Sequence, residues 1–437
     1  MRVLLISTYE MGRQPFGIAS PAAWLRREGH EVAVADLSRG PLPAPAAERA
    51  ELVAFFLPMH TATRLFLRAA ERVRQINPRA RLCAYGLYAP LNQSMLRAAG
   101  VETVIGGEFE RPLTDLANGR AVRSEVSLAR QQFVAPDRAG LPPLASYAGL
   151  VVNGGTRRAG YTEATRGCKH FCRHCPVVPV YQGSFRVVQT DVVLEDVRRQ
   201  VAAGAEHITF GDPDFFNGPG HAKRIVEAMH REWPRLTYDA TIKVEHLLKH
   251  RDLLPLLKAT GCLFVTSAVE SLDDAVLGKL AKGHTRADFV NALALARTAG
   301  LALAPTFIAF TPWTTRDSYR RFLAGLLELD LVEQVAPIQL AIRLLIPDGS
   351  LLLDLPEIRE LVGTYDARAL CYPWQNAEVD CQQRAIQELV KREEKRRTSR
   401  REIFRQIWEL SGDAPLPEDS PRVARAAIPY LTEPWYC

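Results

Sequence analysis

The chain alternates short apolar runs with stretches of helical pattern over most of its 437 residues. In the first part of the sequence, five of these runs predict strands, at residues 3–6, 31–35, 52–57, 81–85 and 103–105. Strands of this length that alternate with helices are typical of a parallel sheet with helices on both faces. We therefore predict a doubly wound, Rossmann-like α/β domain over residues 1–120.

Ligands of such a sheet bind beyond the carboxyl ends of its strands. In this domain, that edge would hold the loops at residues 7–17, 58–61, 86–90 and 106–108. The glycine pair Gly106-Gly107 would let a backbone approach a ligand closely. Glycines after strands are also common turn residues, so the pair alone does not identify a ligand.

A second series of strands and helices begins at Tyr161. Six runs predict strands at residues 161–165, 207–210, 236–242, 262–268, 301–310 and 338–345, with helical stretches between them. Six βα units in succession predict a partial (β/α)6 barrel over residues 161–354, with its active site at the carboxyl ends of the strands. Residues 121–160 lack periodicity and are predicted to be a linker, and residues 355–437 to form a largely helical extension.

The composition is that of an ordinary globular protein, with 47% hydrophobic and 24% charged residues. No run of about 18 apolar residues occurs, and the N-terminus enters a strand rather than a signal peptide, so no membrane association is expected. Eight cysteines spread over this length do not resemble a disulfide framework. We therefore expect a cytoplasmic protein whose thiols stay reduced.

Cys168, Cys172 and Cys175 form a CxxxCxxC triplet directly after the first predicted barrel strand. Three thiolates hold three irons of a [4Fe–4S] cluster and leave the fourth open to a substrate, whereas an electron-carrying cluster normally takes four cysteines. The alternative is a structural zinc ion held by these cysteines with His170 or His174. Zinc usually takes a second cysteine pair further along the chain, and none follows at the usual distance.

With the triplet after the first strand of a six-unit βα domain, residues 161–352 resemble the radical S-adenosylmethionine (SAM) superfamily. The resemblance implies that Cys168, Cys172 and Cys175 are the ligands of a [4Fe–4S] cluster, with SAM chelating the open iron. His174 stands where an aromatic residue usually packs near adenine, and Phe171 is a candidate for the same role.

Other motifs of the resemblance follow the later strands. Gly211-Asp212-Pro213-Asp214 resembles the glycine-rich segment that contacts the SAM amino group, although it departs from Gly-Gly-Glu. Glu270 and Ser271 resemble the position that hydrogen-bonds the ribose. Two further matches are Lys282-Gly283-His284-Thr285 and the turn Pro347-Asp348-Gly349-Ser350. A structural reading remains open, in which Asp212 and Asp214 cap the following turn and Glu270-Ser271 cap the next helix.

The N-terminal domain resembles the cobalamin-binding domains that precede the radical SAM domain in one branch of the superfamily. The resemblance includes the strand order, the Gly106-Gly107-Glu108 turn and the link at Leu141-Pro142-Pro143. The DxHxxG motif that supplies an axial histidine is absent, because residues 8–17 read TYEMGRQPFG. Some members are thought to bind cobalamin without that histidine. The sequence therefore leaves two alternatives, a bound cobalamin and a structural domain that shields the barrel mouth.

The last residues, Leu431 to Cys437, resemble the approach to the tail of a radical SAM group named for a final Cys-Sec-Ala-Glu-Pro or Cys-Cys-Ala-Glu-Pro. We hypothesise that the sequence is truncated at a UGA codon read as stop. Finding no in-frame Ala-Glu-Pro codons after the stop would refute this. Cys371 and Cys381 could join Cys437 in an auxiliary cluster or in redox chemistry, whereas Cys83 and Cys262 fall within strands and are predicted core residues.

The resemblance implies an enzyme in which a reduced cluster cleaves SAM and the resulting 5′-deoxyadenosyl radical abstracts hydrogen from a substrate. With cobalamin, methyl transfer to an unactivated carbon or phosphorus would follow. The implied partners are an unidentified substrate, such as a peptide or natural product, and an external electron donor such as flavodoxin or ferredoxin. The protein's own part would be to orient SAM and exclude solvent.

Two alternatives of other kinds stay open. The basic segment at residues 391–405 could bind tRNA for a modification reaction, or it could be a solvated helix face paired through Glu393 and Glu394. The net charge of +6 does not by itself indicate nucleic acid, which is therefore not an expected partner. The second alternative is a non-catalytic interaction protein that binds zinc.

Overall fold

The computed structural model describes residues 1–122, 124–412, 415–417 and 425–433. The hypotheses about Cys437 and the final residues lie outside this described part. Within it, the chain forms an N-terminal α/β domain, a curled half-barrel and a mostly helical C-terminal region. No helix in the described residues is both long enough and apolar enough to span a membrane.

The N-terminal domain is built on a six-stranded parallel sheet with the strand order β2-β1-β3-β4-β5-β6. Its strands are β1 (Arg2–Ser7), β2 (Glu31–Asp36), β3 (Leu52–Phe56), β4 (Arg81–Tyr85), β5 (Thr103–Gly107) and β6 (Val126–Ser127). Its helices are α1 (Phe16–Arg27), α2 (Ala44–Arg49), α3 (His60–Ile76), α4 (Gln93–Ala98) and α5 (Glu110–Ala117). Two apolar clusters cover the two faces of the sheet, which explains why β3 consists only of buried apolar residues. The doubly wound prediction is confirmed.

The second sheet has seven strands in the order β14-β13-β12-β11-β8-β7-β15 and curls into a half-barrel. The strands of this half of the chain are β7 (Gly149–Val152), β8 (Gly155–Thr162), β9 (Thr165–Gly167), β10 (Phe185–Val187), β11 (His207–Phe210), β12 (Thr237–Thr241), β13 (Cys262–Glu270), β14 (Ala302–Phe307) and β15 (Tyr430–Leu431). The strands β8, β11, β12, β13 and β14 run parallel, as βα units require. β9 and β10 form a separate antiparallel pair.

The structure differs from the sequence prediction at both ends of the barrel. The first strand begins at Gly155, inside the predicted linker, because residues 149–162 form the β7–β8 hairpin. The sixth strand, predicted at residues 338–345, is not formed: residues 337–340 make a 3₁₀ turn. Only one bridge remains there, between Phe310 and Arg343. The side chain of Gln339 accepts a hydrogen bond from the Phe307 N–H, which replaces a ladder bond that a sixth strand would have supplied.

Helices follow the strands of this half of the chain, and most of them cover the outer face of the half-barrel. They are α6 (Val177–Tyr181), α7 (Thr190–Ala202), α8 (Pro219–Glu232), α9 (Val244–Lys249), α10 (Leu254–Ala259), α11 (Asp274–Lys279), α12 (Arg286–Thr298) and α13 (Arg316–Glu328). The C-terminal region adds α14 (Pro356–Leu361), α15 (Asp380–Lys395) and α16 (Arg400–Leu410). β15 then pairs antiparallel with β7 and completes the edge of the sheet.

Candidate functional site

The cysteine triplet lies in the loop that follows β9, at the carboxyl-end side of the half-barrel. Gly167, directly before Cys168, has a φ of 75°, and a side chain there would overlap Tyr181 and the Ser184 carbonyl. Cys172 is buried, and Cys168 and Cys175 are partly buried. Cys168 and Cys175 pack against an apolar cluster to which the N-terminal domain contributes Leu91. The first domain therefore covers one side of the triplet.

Two ammonium groups accompany the thiols. Lys243 Nζ is 3.7 Å from Cys172 Sγ. Lys282 is buried, yet its pKa is raised, because the charges of Glu270, Cys172 and Cys175 outweigh the effect of burial. Burial and the neighbouring Cys172 raise the pKa of Cys175 to about 12. Three clustered thiols that a metal must deprotonate, with fixed cations to offset the negative charge, form a donor set that fits an iron–sulfur cluster.

Glu270 connects three elements at the same edge. It ends β13 with a φ of 69°, a backbone conformation that residues with side chains seldom adopt. Its Oε1 accepts a hydrogen bond from Lys282 Nζ at 3.3 Å and lies 3.2 Å from His174 Nε2. Burial raises the pKa of Glu270, but Lys282 and His174 more than reverse this and hold it at about 2. A carboxylate that stays ionised beside the triplet can accept hydrogen bonds from ribose hydroxyls.

A second buried acid, Asp214, lies close to the first cysteine of the triplet. Its Oδ2 is 2.6 Å from His246 Nδ1, and its other oxygen accepts a hydrogen bond from the Phe216 N–H at 3.2 Å. The ring of His170 lies beside His246, with 3.3 Å between the Nε2 atoms. Ligand atoms of Cys168, His170 and Asp214 lie within 4.8 Å of one another. The structure thus keeps His170 near one cysteine, as the zinc alternative requires, whereas His174 is occupied by Glu270.

The other residues predicted to bind SAM make mainly structural contacts. The Gly211 N–H donates to the Thr162 carbonyl at 2.8 Å, and a side chain at this position would overlap the Tyr161 hydroxyl. Asp212 accepts hydrogen bonds from the Ala164 N–H at 2.9 Å and from the Thr165 hydroxyl at 2.5 Å. Burial raises the pKa of Asp212 to about 7.

Ser271 and Phe171 lie apart from these contacts. The Ser271 hydroxyl accepts a hydrogen bond from the Asp273 N–H at 3.0 Å, but the residue that caps the N-terminus of α11 is Asp273. The side chain of Phe171 is 56% exposed and its ring lies against Gly183. The roles of both residues in binding SAM stay predictions, and the exposure of Phe171 gives no support to an adenine contact.

The interface between the two domains contains a residue that sequence reasoning missed. Arg166 is buried and donates to both oxygens of Glu110, at 2.9 and 2.7 Å, and to Glu163 at 2.6 Å. Glu108, from the Gly106-Gly107-Glu108 turn, lies 3.6 Å away, and burial raises its pKa to about 7. Arg166 thus contacts Glu108 and Glu110 of the first domain as well as Glu163, and these ion pairs join the first domain to the segment before Cys168. Its only signal in the sequence was its place two residues before the triplet.

The crevice between β1 and β3 is where a sheet of this order would receive a ligand. Phe56, the last residue of β3, fills it with a ring that lies against Gly17 and Gly86. Tyr85 and Phe109 pack on this ring at centroid distances of 5.4 and 5.7 Å, and the Tyr85 hydroxyl donates to the Gly17 carbonyl at 2.9 Å. A cobalamin whose nucleotide tail entered this crevice would have to displace these side chains.

The remaining cysteines and the basic segment form no further candidate site among the described residues. Cys83 and Cys262 are core residues, as their strands predict. Cys371 is partly buried and Cys381 is exposed, and among the described residues neither belongs to a group of three side chains close enough to hold a metal ion. In the basic segment, Glu393 accepts from Arg392, Arg396 and Thr398, and Arg405 pairs with Glu402 and Glu409. This pattern is that of a helix face with internal ion pairs.

Comparison with known proteins agrees with this geometry. Residues 162–319 match the model of the radical SAM superfamily. Hopanoid C-3 methylase from Methylococcus capsulatus is 31% identical over 151 residues, which cover 35% of this chain and 29% of that protein. A tRNA-2-methylthio-N(6)-dimethylallyladenosine synthase from Desulfosudis oleivorans is 28% identical over 185 residues, which cover 40% of this chain and 38% of that protein. The chain thus spans about a third of the length of these relatives.

Two solved structures share the fold. The radical SAM methyltransferase TsrM from Kitasatospora setae, determined with cobalamin and a [4Fe–4S] cluster bound, has a TM-score of 0.59 and 17% identity, covering 75% of this chain and 73% of its own. The cobalamin-dependent radical SAM enzyme OxsB, with aqua-cobalamin bound, has a TM-score of 0.66 and 14% identity, covering 89% of this chain and 66% of its own. The chain therefore carries a radical SAM domain, the domain of enzymes that bind a [4Fe–4S] cluster and SAM.

Proposed function

We propose that this protein binds a [4Fe–4S] cluster through Cys168, Cys172 and Cys175 and cleaves SAM reductively to modify an organic substrate. The observation that supports the proposal most strongly is the shared location of three clustered thiols, Lys243 and the Glu270–Lys282 pair at one edge of the half-barrel. When bound, the cluster supplies one electron that breaks a carbon–sulfur bond of SAM, giving methionine and a 5′-deoxyadenosyl radical that abstracts hydrogen.

The side chains around the triplet account for how SAM would be held. The Glu270 carboxylate stays ionised and can accept hydrogen bonds from ribose hydroxyls, and His174 lies beside it to pack near the adenine. Asp214 can accept a hydrogen bond from the amino group of SAM, because its buried Oδ2 lies 2.6 Å from His246 Nδ1 but accepts no hydrogen bond among the described residues. Leu91 and the apolar cluster around it exclude water from the side of the triplet that faces the first domain.

We place the substrate against the inner face of the half-barrel. Val265 and Val269 of β13 belong to the core beneath the helices, so the alternating residues Thr266 and Ala268 point to the opposite, inner face. Both are only partly buried, as is Ala304 of β14. An inner wall of small side chains with threonine hydroxyls can hold a polar part of a peptide or natural product, the substrate class that we propose.

The names of the methyltransferase relatives suggest a second reaction, methyl transfer assisted by cobalamin. The fold shared with TsrM and OxsB supports it, whereas Phe56 and Tyr85 occupy the crevice where the tail of cobalamin would enter. We therefore propose hydrogen abstraction from the substrate and no subsequent methyl transfer. The tRNA alternative has less support, because arginines of the basic segment pair with glutamates of the same helices.

The experiment is anaerobic reconstitution, followed by iron and sulfide analysis and an assay for 5′-deoxyadenosine with dithionite as reductant. We expect cluster binding and product formation in the wild type, and loss of both in Cys168→Ser. Cys381→Ser is the matched control, because Cys381 is exposed and lies outside the site. A colourless protein with one zinc ion and no iron would refute the proposal in favour of a zinc-binding interaction protein.

A further inference from the structure

Exposed or partly exposed apolar side chains lie on the cluster loop and on the strand next to it. Phe171, between two of the predicted ligands, is the most exposed large apolar side chain in the described residues. Its ring contacts Gly183, and β10 begins two residues later with Phe185 and ends with Val187, which is 40% exposed. β10 pairs with β9, the strand that leads into Cys168. Phe171, Phe185 and Val187 form what we call the Phe171 patch.

The surroundings of the Phe171 patch carry positive charge. From Ala164 to Thr190 the sequence has four cations and no carboxylate. Arg166 is buried and paired across the domain interface, as described above. The other three, Lys169, Arg173 and Arg186, donate to backbone carbonyls of Asn217, Gly278 and Leu128, among others. None of these three has a carboxylate within 4 Å in the described structure.

Two exposed carboxylates lie near the loop, and each is next to a lysine. Glu357 interacts with Arg173 and pairs with Lys279. Glu245 is 3.5 Å from His170 Nδ1, and it is also 3.7 Å from Lys243 Nζ, which offsets its charge. The segment that holds the cluster ligands therefore presents a net positive surface with an apolar centre. Exposed apolar patches with a charged rim mark sites of protein association, and complementary charge speeds the encounter of partners.

The proposed reaction needs one electron from outside the protein, and the triplet is covered on its other sides. The first domain covers it through Leu91, and Lys243, Lys282 and Glu270 lie on the barrel side. Phe171 directly precedes Cys172 in the chain, so the Phe171 patch is an exposed apolar surface next to a predicted ligand. We infer that an acidic one-electron carrier protein docks on the Phe171 patch to reduce the cluster. This inference rests on the proposed function.

The test compares a protein donor with a small one. The variant Val187→Glu adds negative charge to the Phe171 patch without touching the predicted SAM site. Its matched control is Leu65→Glu, because Leu65 is 42% exposed and lies on α3 of the first domain. We expect reduced flavodoxin to drive 5′-deoxyadenosine formation about tenfold or more slowly in Val187→Glu than in the wild type. Rates with dithionite should be equal in all three proteins.

Binding of flavodoxin to the reconstituted protein is measured separately by calorimetry, so the result does not depend on turnover. We expect binding at low salt, weaker binding for Val187→Glu, and loss at an ionic strength of about 1 M, where the Debye length is about 3 Å. Equal binding and equal rates in Val187→Glu and Leu65→Glu would overturn the inference. An equal loss of rate with flavodoxin and with dithionite would also overturn it, because the substitution would then impair the cluster itself and not the docking of the donor. Absence of SAM cleavage with dithionite in the wild type would count against the proposed function and leave the binding result standing.

Discussion

Replacing Lys282 by methionine tests the buried ion pair at the centre of the candidate site. Lys282 Nζ lies 3.3 Å from Glu270 Oε1, and both side chains are buried. Without the ammonium group, the Glu270 carboxylate keeps only His174 as a partner among the described residues. Removing one partner of a buried ion pair typically costs about 3–5 kcal/mol, because the remaining charge is left uncompensated.

The pKa of Glu270 gives a second value for the free energy that the ion pair contributes. Its value of about 2, against an ordinary 4.5, corresponds to about 3 kcal/mol at about 1.4 kcal/mol for each tenfold change in proton affinity. Because the pKa is lower in the folded than in the unfolded protein, this stabilisation is present above pH 4.5. It is lost as the pH falls from 4.5 towards 2. In Lys282→Met, most of this pH-dependent stabilisation should be absent.

The assay is urea unfolding of the metal-free protein under reducing conditions at about pH 7, where Glu270 is ionised in both states. We expect Lys282→Met to lower the free energy of unfolding by about 3 kcal/mol. Lys279→Met is the matched control, because Lys279 pairs with Glu357 and their side chains are 39% and 41% exposed. An exposed pair of this kind contributes about 0–1 kcal/mol.

A double variant separates the pair from other effects of the substitution. In Glu270→Gln/Lys282→Met the buried charges are both removed, so we expect much of the stability lost in Lys282→Met to return. Should Lys282→Met cost no more than Lys279→Met, or should the double variant be less stable than Lys282→Met, the ion pair does not hold Glu270 as argued.

Three further predictions follow from other parts of the structure. Burial raises the pKa of Glu108 to about 7, so its contribution to stability is lost as the pH rises from 4.5 through about 7. In Glu108→Gln, the free energy of unfolding should no longer fall in this way across that pH range. An unchanged pH profile would contradict the assignment. Hydroxocobalamin added during anaerobic reconstitution should not co-purify with the wild type, since Phe56 fills the crevice, and a stoichiometric corrinoid spectrum would show that Phe56 moves. Arg166→Met should destabilise the protein by about 3–5 kcal/mol, because it leaves buried glutamates without their cation, whereas Arg81→Met, at an exposed pair with Glu102, should cost about 0–1 kcal/mol in the same urea titration.

The periodicity of the sequence predicted the positions of most parallel strands in both sheets. The strands β1 to β5 and β11 to β14 appear close to where continuous apolar runs placed them. The prediction of a sixth barrel strand was wrong. Its segment is as apolar as the strands that do form, but it contains a 3₁₀ turn. The Gln339 side chain accepts a hydrogen bond from the Phe307 N–H in place of one ladder bond. Periodicity cannot distinguish these two outcomes, since both bury the same side chains.

The candidate site was predictable where residue type and spacing carry the chemistry. Cys168, Cys172 and Cys175 are close in sequence, and Glu270 ends a strand whose carboxyl end had to lie at the same edge. Lys243 and Arg166 were missed, because a single basic residue at a strand end has no pattern that separates it from a solvated one. Their partners lie far along the chain: Arg166 meets Glu110 across 56 residues and Lys243 meets Cys172 across 71.

The sequence by itself determined the class of fold, the cysteine triplet and the order of the acidic residues after the barrel strands, since these depend on local patterns. The tertiary structure decided which charges are buried together, because burial and pairing depend on residues brought close from distant parts of the chain. It also decided that Phe56 fills the crevice of the first domain, that Glu270 is held ionised by Lys282, and that Phe171 lies at the surface. Each of these outcomes is set by which neighbours exclude water from a side chain, and sequence spacing does not contain that information.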